Sequence, residues 1–155
     1  VGVYGGRADL MRHISPLGVV YQAGTLSGNP LATAAGITTL NILKRPGFFE
    51  AIDATSAKIA EGLRQIIAED GHSAVVQRAG TMLTLFFSDR PVLNFDDAKA
   101  CDHERFGRFH QLMLREGVYL PPSGYEACFV SAAHGDAEVE HILRAARIAL
   151  RESAS

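Results

Sequence analysis

The chain has 155 residues, of which 47% are hydrophobic and 21% are charged, and its formal net charge is −2. This balance is ordinary for a globular domain and excludes an intrinsically disordered chain, and without a basic excess a general binder of nucleic acid or of anionic membranes is disfavoured. No stretch approaches 18 consecutive apolar residues, so the sequence predicts no membrane span.

Residues 1–46 form the first predicted part. The first 29 residues are rich in Gly, Ser and Pro and predict irregular backbone with short strands. Asn29 and Pro30 suit the N-cap and the first position of a helix. That helix is apolar almost all round, which is typical of a helix buried between layers. It ends at the Lys-Arg-Pro-Gly run 44–47, where we place a domain boundary.

Residues 47–155 predict a small α/β domain. Apolar residues recur there at helical spacing, and runs rich in Val, Leu, Thr and Phe indicate strands. The predicted elements are a helix from 48 to 71, strands at 74–77 and 81–88, a helix entered at 96–102 and ended at 117, short extended segments at 118–120 and 127–131, and a final helix from 136. This order is typical of helices layered on a sheet.

The most specific stretch is residues 21–31, with the sequence YQAGTLSGNPL. Two glycines, two hydroxyl side chains and a capped helix N-terminus can present N–H and O–H groups to an anion. The same residues also suit nothing more than a tight turn and an N-cap. The stretch is neither a Walker loop nor a nucleophile elbow, because no Gly-Lys-Ser/Thr follows and the serine is one residue too late for G-x-S-x-G.

Five segments in the same order carry a family resemblance: VGVYGGR at 1–7, YQAGTLSGNPL at 21–31, RAGTMLTLFF at 78–87, NFDDAK at 94–99, and GVYLPPSGYEACFVSAAH at 117–134. They resemble segments of the glutamate-1-semialdehyde 2,1-aminomutases, which are pyridoxal-phosphate enzymes of the class III aminotransferase family. The resemblance implies the fold type I α/β architecture. Residues 1–46 would then end the large cofactor-binding domain, and residues 47–155 would form the small C-terminal domain.

The resemblance also implies the site residues. In that family the Gly-Thr pair binds the cofactor phosphate from the neighbouring subunit of a homodimer, which assigns Gly24 and Thr25 to cofactor binding. The family's active-site glutamate corresponds to Glu126, which would be a catalytic residue that moves protons or positions substrate. From the residues alone the favoured interpretation of Glu126 is a solvated loop carboxylate, although its apolar neighbours would desolvate it and raise its pKa.

One feature that the family requires is missing from the sequence. The family needs a lysine for its Schiff base, and Lys44, Lys58 and Lys99 do not lie in the required context. Together with the Gly-rich start of the sequence, this absence makes us expect a fragment that is inactive alone, with the lysine upstream.

Cys101 and Cys128 are expected to be free thiols in a reducing cytoplasm. No metal site is expected, because Cys101-Asp102-His103-Glu104 places its ligands side by side.

The resemblance implies a function for the complete enzyme. It would convert glutamate-1-semialdehyde to 5-aminolevulinate, for tetrapyrrole synthesis, with pyridoxal 5′-phosphate that cycles through the pyridoxamine 5′-phosphate form. One alternative is another class III aminotransferase, acting on ω-amino or ornithine-type substrates. Those enzymes usually place an arginine for the substrate carboxylate near the segment that reads Ser-Gly-Tyr-Glu here. A second alternative is an α/β binding module without catalysis. Neither nucleic acid nor a membrane is expected as a partner.

Overall fold

A computed structural model describes residues 1–154, which separate into two units, Val1–Pro46 and a second that starts at Gly47. The first unit contains helix α1 (Ala8–Met11) and helix α2 (Pro30–Leu43). The strands expected in its first 29 residues reduce to one parallel bridge between Ile14 and Val20. Most of this unit therefore has irregular backbone.

Helix α2 begins where the sequence places it. The Asn29 side chain accepts a hydrogen bond from the Ala32 N–H at 3.0 Å, and Pro30 is the first helical residue. The expected burial is not observed, because no α2 residue is buried and Leu31 is 80% exposed. A unit of this size has too few side chains to cover a helix that is apolar on every side.

The described part of the second unit is built from three long helices, one short helix and a small sheet. Its elements are α3 (Phe48–Asp70), β1 (Val75–Ala79), β2 (Met82–Phe86), α4 (Phe95–Lys99), α5 (His103–Arg115), β3 (Cys128–Phe129) and α6 (Asp136–Glu152). The sheet is antiparallel with the order β1-β2-β3, and Gln77 faces Thr84 in its register. Helix α3 packs on β1 and β2, and α6 packs on α3 and α5. The expected α/β layers are therefore present.

Two predicted segments differ from the structure. The helix expected from an acidic entry at 96–102 is two helices, because Asn94 caps α4 through the Asp97 N–H and Asp102 caps α5 through the Arg105 N–H. The extended segment expected at 118–120 is a loop. The division of the helix has a local cause, since an Asn or Asp side chain that accepts an N–H bond begins a new helix.

The core of the second unit is apolar and lies between the helices and the sheet. Ala146, Ala149 and Leu150 of α6 are fully buried, and Ile59 and Ile66 of α3 are each 3% exposed. Burying a side chain such as Leu or Ile contributes about 1.5–3 kcal/mol. None of the helices within residues 1–154 is long and apolar enough to cross a membrane.

Candidate functional site

The loop before α2 is made of two consecutive turns. The Ser27 N–H donates to the Gly24 carbonyl at 3.0 Å, and the Asn29 N–H donates to the Leu26 carbonyl at 3.0 Å. Gly28 has a φ of +74°, a backbone conformation that residues other than glycine rarely adopt. The two turns bring the loop directly into the N-terminus of α2, whose positive dipole end favours an anion.

The donors of this loop suit a phosphate group. The N–H groups of Gly24 and Thr25 and the Thr25 hydroxyl have no hydrogen-bond partner among the described residues, and all are exposed. A Cβ at Gly24 would lie 3.0 Å from Ser27 Oγ, so a side chain there would displace the Ser27 hydroxyl. Two N–H donors and a hydroxyl beside a helix N-terminus match the acceptor oxygens of a phosphate. The residues present therefore fit this part of a cofactor.

Glu126 lies in a turn that leads into β3. Its N–H donates to the Ser123 carbonyl at 3.1 Å, and the Tyr125 N–H donates to Ser123 Oγ at 3.3 Å. The Thr84 hydroxyl donates to the Glu126 carbonyl at 3.3 Å, which ties the turn to β2. The expectation of a desolvated, strand-like setting is wrong for this chain, because Glu126 is exposed and lies in the turn before β3.

Aromatic side chains of α4 and α5 contact Tyr125 in the same turn. The Tyr125 ring stacks on the His103 ring with centroids 4.4 Å apart and an angle of 22°. Phe95 contacts Tyr125 with centroids 5.9 Å apart. Sequence reasoning missed His103, since nothing local connects the first turn of α5 with a turn more than twenty residues later.

A cavity of about 340 Å³ opens beside Glu126 in the second unit. Its wall is mostly apolar and comes from α3, β2 and α5, with Leu63, Leu85 and Met113 as examples. Glu126 is the one carboxylate among the described residues that line it, and His134 is the one histidine. A mostly apolar cavity with few polar groups is the usual form of a small-molecule site.

The thiols do not take part in this arrangement. Cys128 lines the cavity, and burial raises the pKa of its thiol to about 11, so that it stays protonated at neutral pH. Burial, followed by the charge of Asp97, also raises the pKa of Cys101, whose thiol donates to the Asp97 carbonyl at 3.4 Å. Both cysteines are free, as expected.

The site residues inferred from the sequence lie in both units. Gly24 and Thr25 share one loop of the first unit, and Glu126 belongs to the second. Two lysines have structural partners: Lys58 forms an ion pair with Asp136 at 2.8 Å, and Lys99 lies 5.9 Å from the centre of the Phe95 ring.

Comparison with known proteins identifies similar chains. The profile of the aminotransferase class-III family matches residues 2–145. The glutamate-1-semialdehyde 2,1-aminomutase of Desulfatibacillum aliphaticivorans is 55% identical over 152 residues, which are 98% of this chain and 36% of that protein. The chain therefore spans little more than a third of the length of this curated relative.

Solved structures share the fold. An omega-transaminase from Sphaerobacter thermophilus matches 97% of this chain and 35% of its own, with a TM-score of 0.80 and 24% identity. A glutamate-1-semialdehyde aminomutase from Pseudomonas aeruginosa PAO1 in complex with PMP matches 93% of this chain and 32% of its own, with a TM-score of 0.76 and 23% identity. The predicted α/β architecture of fold type I is confirmed by these matches.

Proposed function

The chain belongs to the class-III aminotransferase family, and from this premise we propose that it forms the C-terminal part of a glutamate-1-semialdehyde 2,1-aminomutase. The observation that carries this proposal is the match to a curated aminomutase along almost the whole chain. Both site features support it, since the Gly24-Thr25 loop has free donors and the Glu126 turn lines a cavity. In this proposal Val1–Pro46 ends the large domain and the unit from Gly47 is the small domain.

The proposed cofactor is pyridoxal 5′-phosphate, which also occurs as pyridoxamine 5′-phosphate during the reaction. When bound, it supplies an electron sink that stabilises negative charge on the substrate carbon. Gly24 and Thr25 would bind its phosphate through two N–H groups and a hydroxyl, and in the proposed homodimer they do so for the cofactor of the partner subunit. The lysine that binds the cofactor covalently would belong to the part of the relative's length that this chain does not span.

The proposed reaction moves an amino group within one molecule. Glutamate-1-semialdehyde gains an amino group at C1 and loses the one at C2, which yields 5-aminolevulinate for tetrapyrrole synthesis. No external amino acceptor is consumed. Glu126 would hold or move a proton beside the reacting carbons, because an ionised carboxylate can accept a proton and return it. The two free thiols are compatible with a cytoplasmic enzyme.

A pair of chimaeric enzymes tests the proposal. In the first, this chain replaces the aligned segment of the 55% identical relative; in the second, it replaces the aligned segment of the omega-transaminase. We expect the first chimaera to form 5-aminolevulinate without an added keto acid, and the second to be much less active with an ω-amino donor than its parent. The unmodified parents are the controls.

Two results would contradict the proposal. Activity in the second chimaera alone, dependent on an added keto acid, would assign the chain to the ω-amino or ornithine-type enzymes. Two folded chimaeras that bind no cofactor would favour the non-catalytic module.

A further inference from the structure

The direction of the Glu126 side chain depends on the backbone of a short turn. Its carboxylate forms no hydrogen bond or ion pair within the described residues, so no side-chain partner orients it. The turn is followed by only two residues of β3, which pair with Met82 and Leu83. A carboxylate presented in this way is precise only if another contact holds the turn.

The Tyr125 ring supplies that contact through His103. The two rings are stacked face to face, with centroids 4.4 Å apart and planes inclined by 22°. Tyr125 directly precedes Glu126, so any rotation of its backbone changes the direction of the carboxylate. Stacked aromatic rings contribute beyond the area that they bury, which makes the pair an energetic restraint on the turn.

His103 is itself fixed. It is the first residue of α5, behind the Asp102 cap whose side chain accepts the Arg105 N–H at 2.8 Å. Its Nε2 lies 2.9 Å from the Ala98 carbonyl and donates to it, because a carbonyl oxygen can only accept. This bond joins the start of α5 to α4 and sets the plane of the ring.

Gly124 shows that the ring and the turn are matched in shape. Gly124 is buried, and a Cβ there would lie 3.2 Å from His103 Nδ1 and 3.2 Å from Phe106 Cγ. These distances are tighter than ordinary van der Waals contact, and no left-handed φ requires glycine at this position. A side chain at position 124 would therefore crowd the His103 and Phe106 rings.

From these contacts we infer that His103 is a positioning residue for Glu126: it holds the turn 123–126 through the Tyr125 ring, in a space that Gly124 leaves open. The inference rests on the proposed role of Glu126 in the reaction. His103 does not take part in the chemistry itself. It determines how often the Glu126 carboxylate points in the productive direction.

The first test uses the 155-residue chain without cofactor. Amide hydrogen exchange of Glu126, measured by NMR, reports the Glu126 N–H bond to Ser123. We expect His103→Ala to accelerate this exchange about three- to tenfold, the effect of losing one aromatic stack. His103→Phe, which keeps the ring, should stay within about twofold of the original rate. His141→Ala is the control, since His141 is exposed and lies on α6. Equal exchange rates in all variants that retain the fold would overturn the inference.

The second test uses the active chimaera and a double-mutant cycle. We expect His103→Ala to lower kcat about three- to tenfold, with cofactor affinity within about twofold, and His103→Phe to restore most of the loss. In the Glu126→Gln background His103→Ala should have almost no further effect. An undiminished effect in that background would show that His103 does not act through Glu126. If the chimaera is inactive with the original chain, the proposed function fails, and the exchange measurement still decides the role of His103.

Discussion

Leu143 of α6 packs directly over Gly62 of α3, and a Cβ at Gly62 would lie 2.5 Å from Leu143 Cδ1. A glycine inside a helix is normally unfavourable by about 0.5–1 kcal/mol relative to alanine. Here it lets two long helices approach closely, so that the α3–α6 contact depends on the missing side chain.

This contact predicts opposite effects for two glycines. Gly107 of α5 has no atom within 4 Å of its Cβ position, so Gly107→Ala should stabilise the chain by about 0.5–1 kcal/mol. Gly62→Ala should be less stable than Gly107→Ala by about 1–3 kcal/mol, because the new methyl group overpacks the interface. Urea unfolding of both variants measures the difference. Leu143→Ala should remove it, and a persistent difference in that background would contradict the packing explanation.

His72 predicts a dependence of stability on pH. Burial is the main cause that lowers the pKa of His72, and the positive charge of Arg105 lowers it further. Asp70 opposes this shift by raising the pKa, and Arg151 adds a smaller lowering. The His72 Nε2 is buried without a partner among the described residues. The unfolded chain therefore binds a proton more readily, and the free energy of unfolding should fall as the pH drops below the unperturbed value of 6.5.

Replacement of His72 tests this linkage. His72→Gln cannot take up a proton, so its urea midpoint should depend less on pH between pH 7.5 and 5 than that of the original chain. An identical slope for the variant and the original chain would assign the pH dependence to other groups.

The free hydroxyl of Thr25 predicts a specific effect on cofactor affinity. In the chimaera Thr25→Val should raise the Kd for pyridoxal phosphate about ten- to hundredfold, which corresponds to about 1.5–3 kcal/mol for a hydrogen bond to a charged group. The melting temperature without cofactor should not change, because the hydroxyl has no partner among the described residues. Thr38→Val, on the exposed surface of α2, is the control. Loss of stability with unchanged affinity would reduce Thr25 to a turn residue.

Glu126 predicts a kinetic effect without a binding effect. Glu126→Gln keeps the shape of the side chain but cannot accept a proton, so turnover of the chimaera should fall about 10²–10⁴-fold at unchanged cofactor affinity. A fall nearer tenfold would indicate a positioning hydrogen bond alone. Single-turnover kinetics followed by cofactor absorbance measures the step, with Glu116→Gln as an exposed control. A rate within twofold of the original would leave Glu126 as a loop carboxylate.

The lysines predict the behaviour of the chain by itself. After incubation of the 155-residue chain with pyridoxal phosphate and borohydride reduction, mass spectrometry should find no lysine labelled stoichiometrically. Lys58 pairs with Asp136 and Lys99 lies over Phe95, and neither lines the cavity beside Glu126 or belongs to the Gly24-Thr25 loop. Complete labelling of Lys44, Lys58 or Lys99 alone would contradict the assignment of the lysine to the part that this chain does not span.

Local signals in the sequence were sufficient for the loop before α2. Asn29 and Pro30 predicted the start of α2 because capping involves atoms within about three residues. The match of YQAGTLSGNPL to a family motif placed Gly24 and Thr25 in the same loop. In the structure their N–H groups donate no hydrogen bond to any described residue. The ends of α3 and α5 were predicted from Gly71 and Gly117, because a glycine that ends a helix is also a local signal.

The setting of Glu126 was not accessible in this way. Its apolar neighbours in sequence predicted desolvation, but the Ser123–Glu126 hydrogen bond turns the chain and leaves the carboxylate exposed. His103 is at the start of α5, and Tyr125 lies in the loop that follows this helix. The two residues are 22 positions apart in the sequence, so no local pattern encodes their contact. The sequence by itself determined most of the helices, the β1–β2 strand pair, the turn and cap before α2, and the family, because these depend on short-range hydrogen bonding and on motif identity. Only the tertiary structure decided which side chains hold the Glu126 turn and why residue 124 is glycine, because steric fit between distant segments exists only after they have packed.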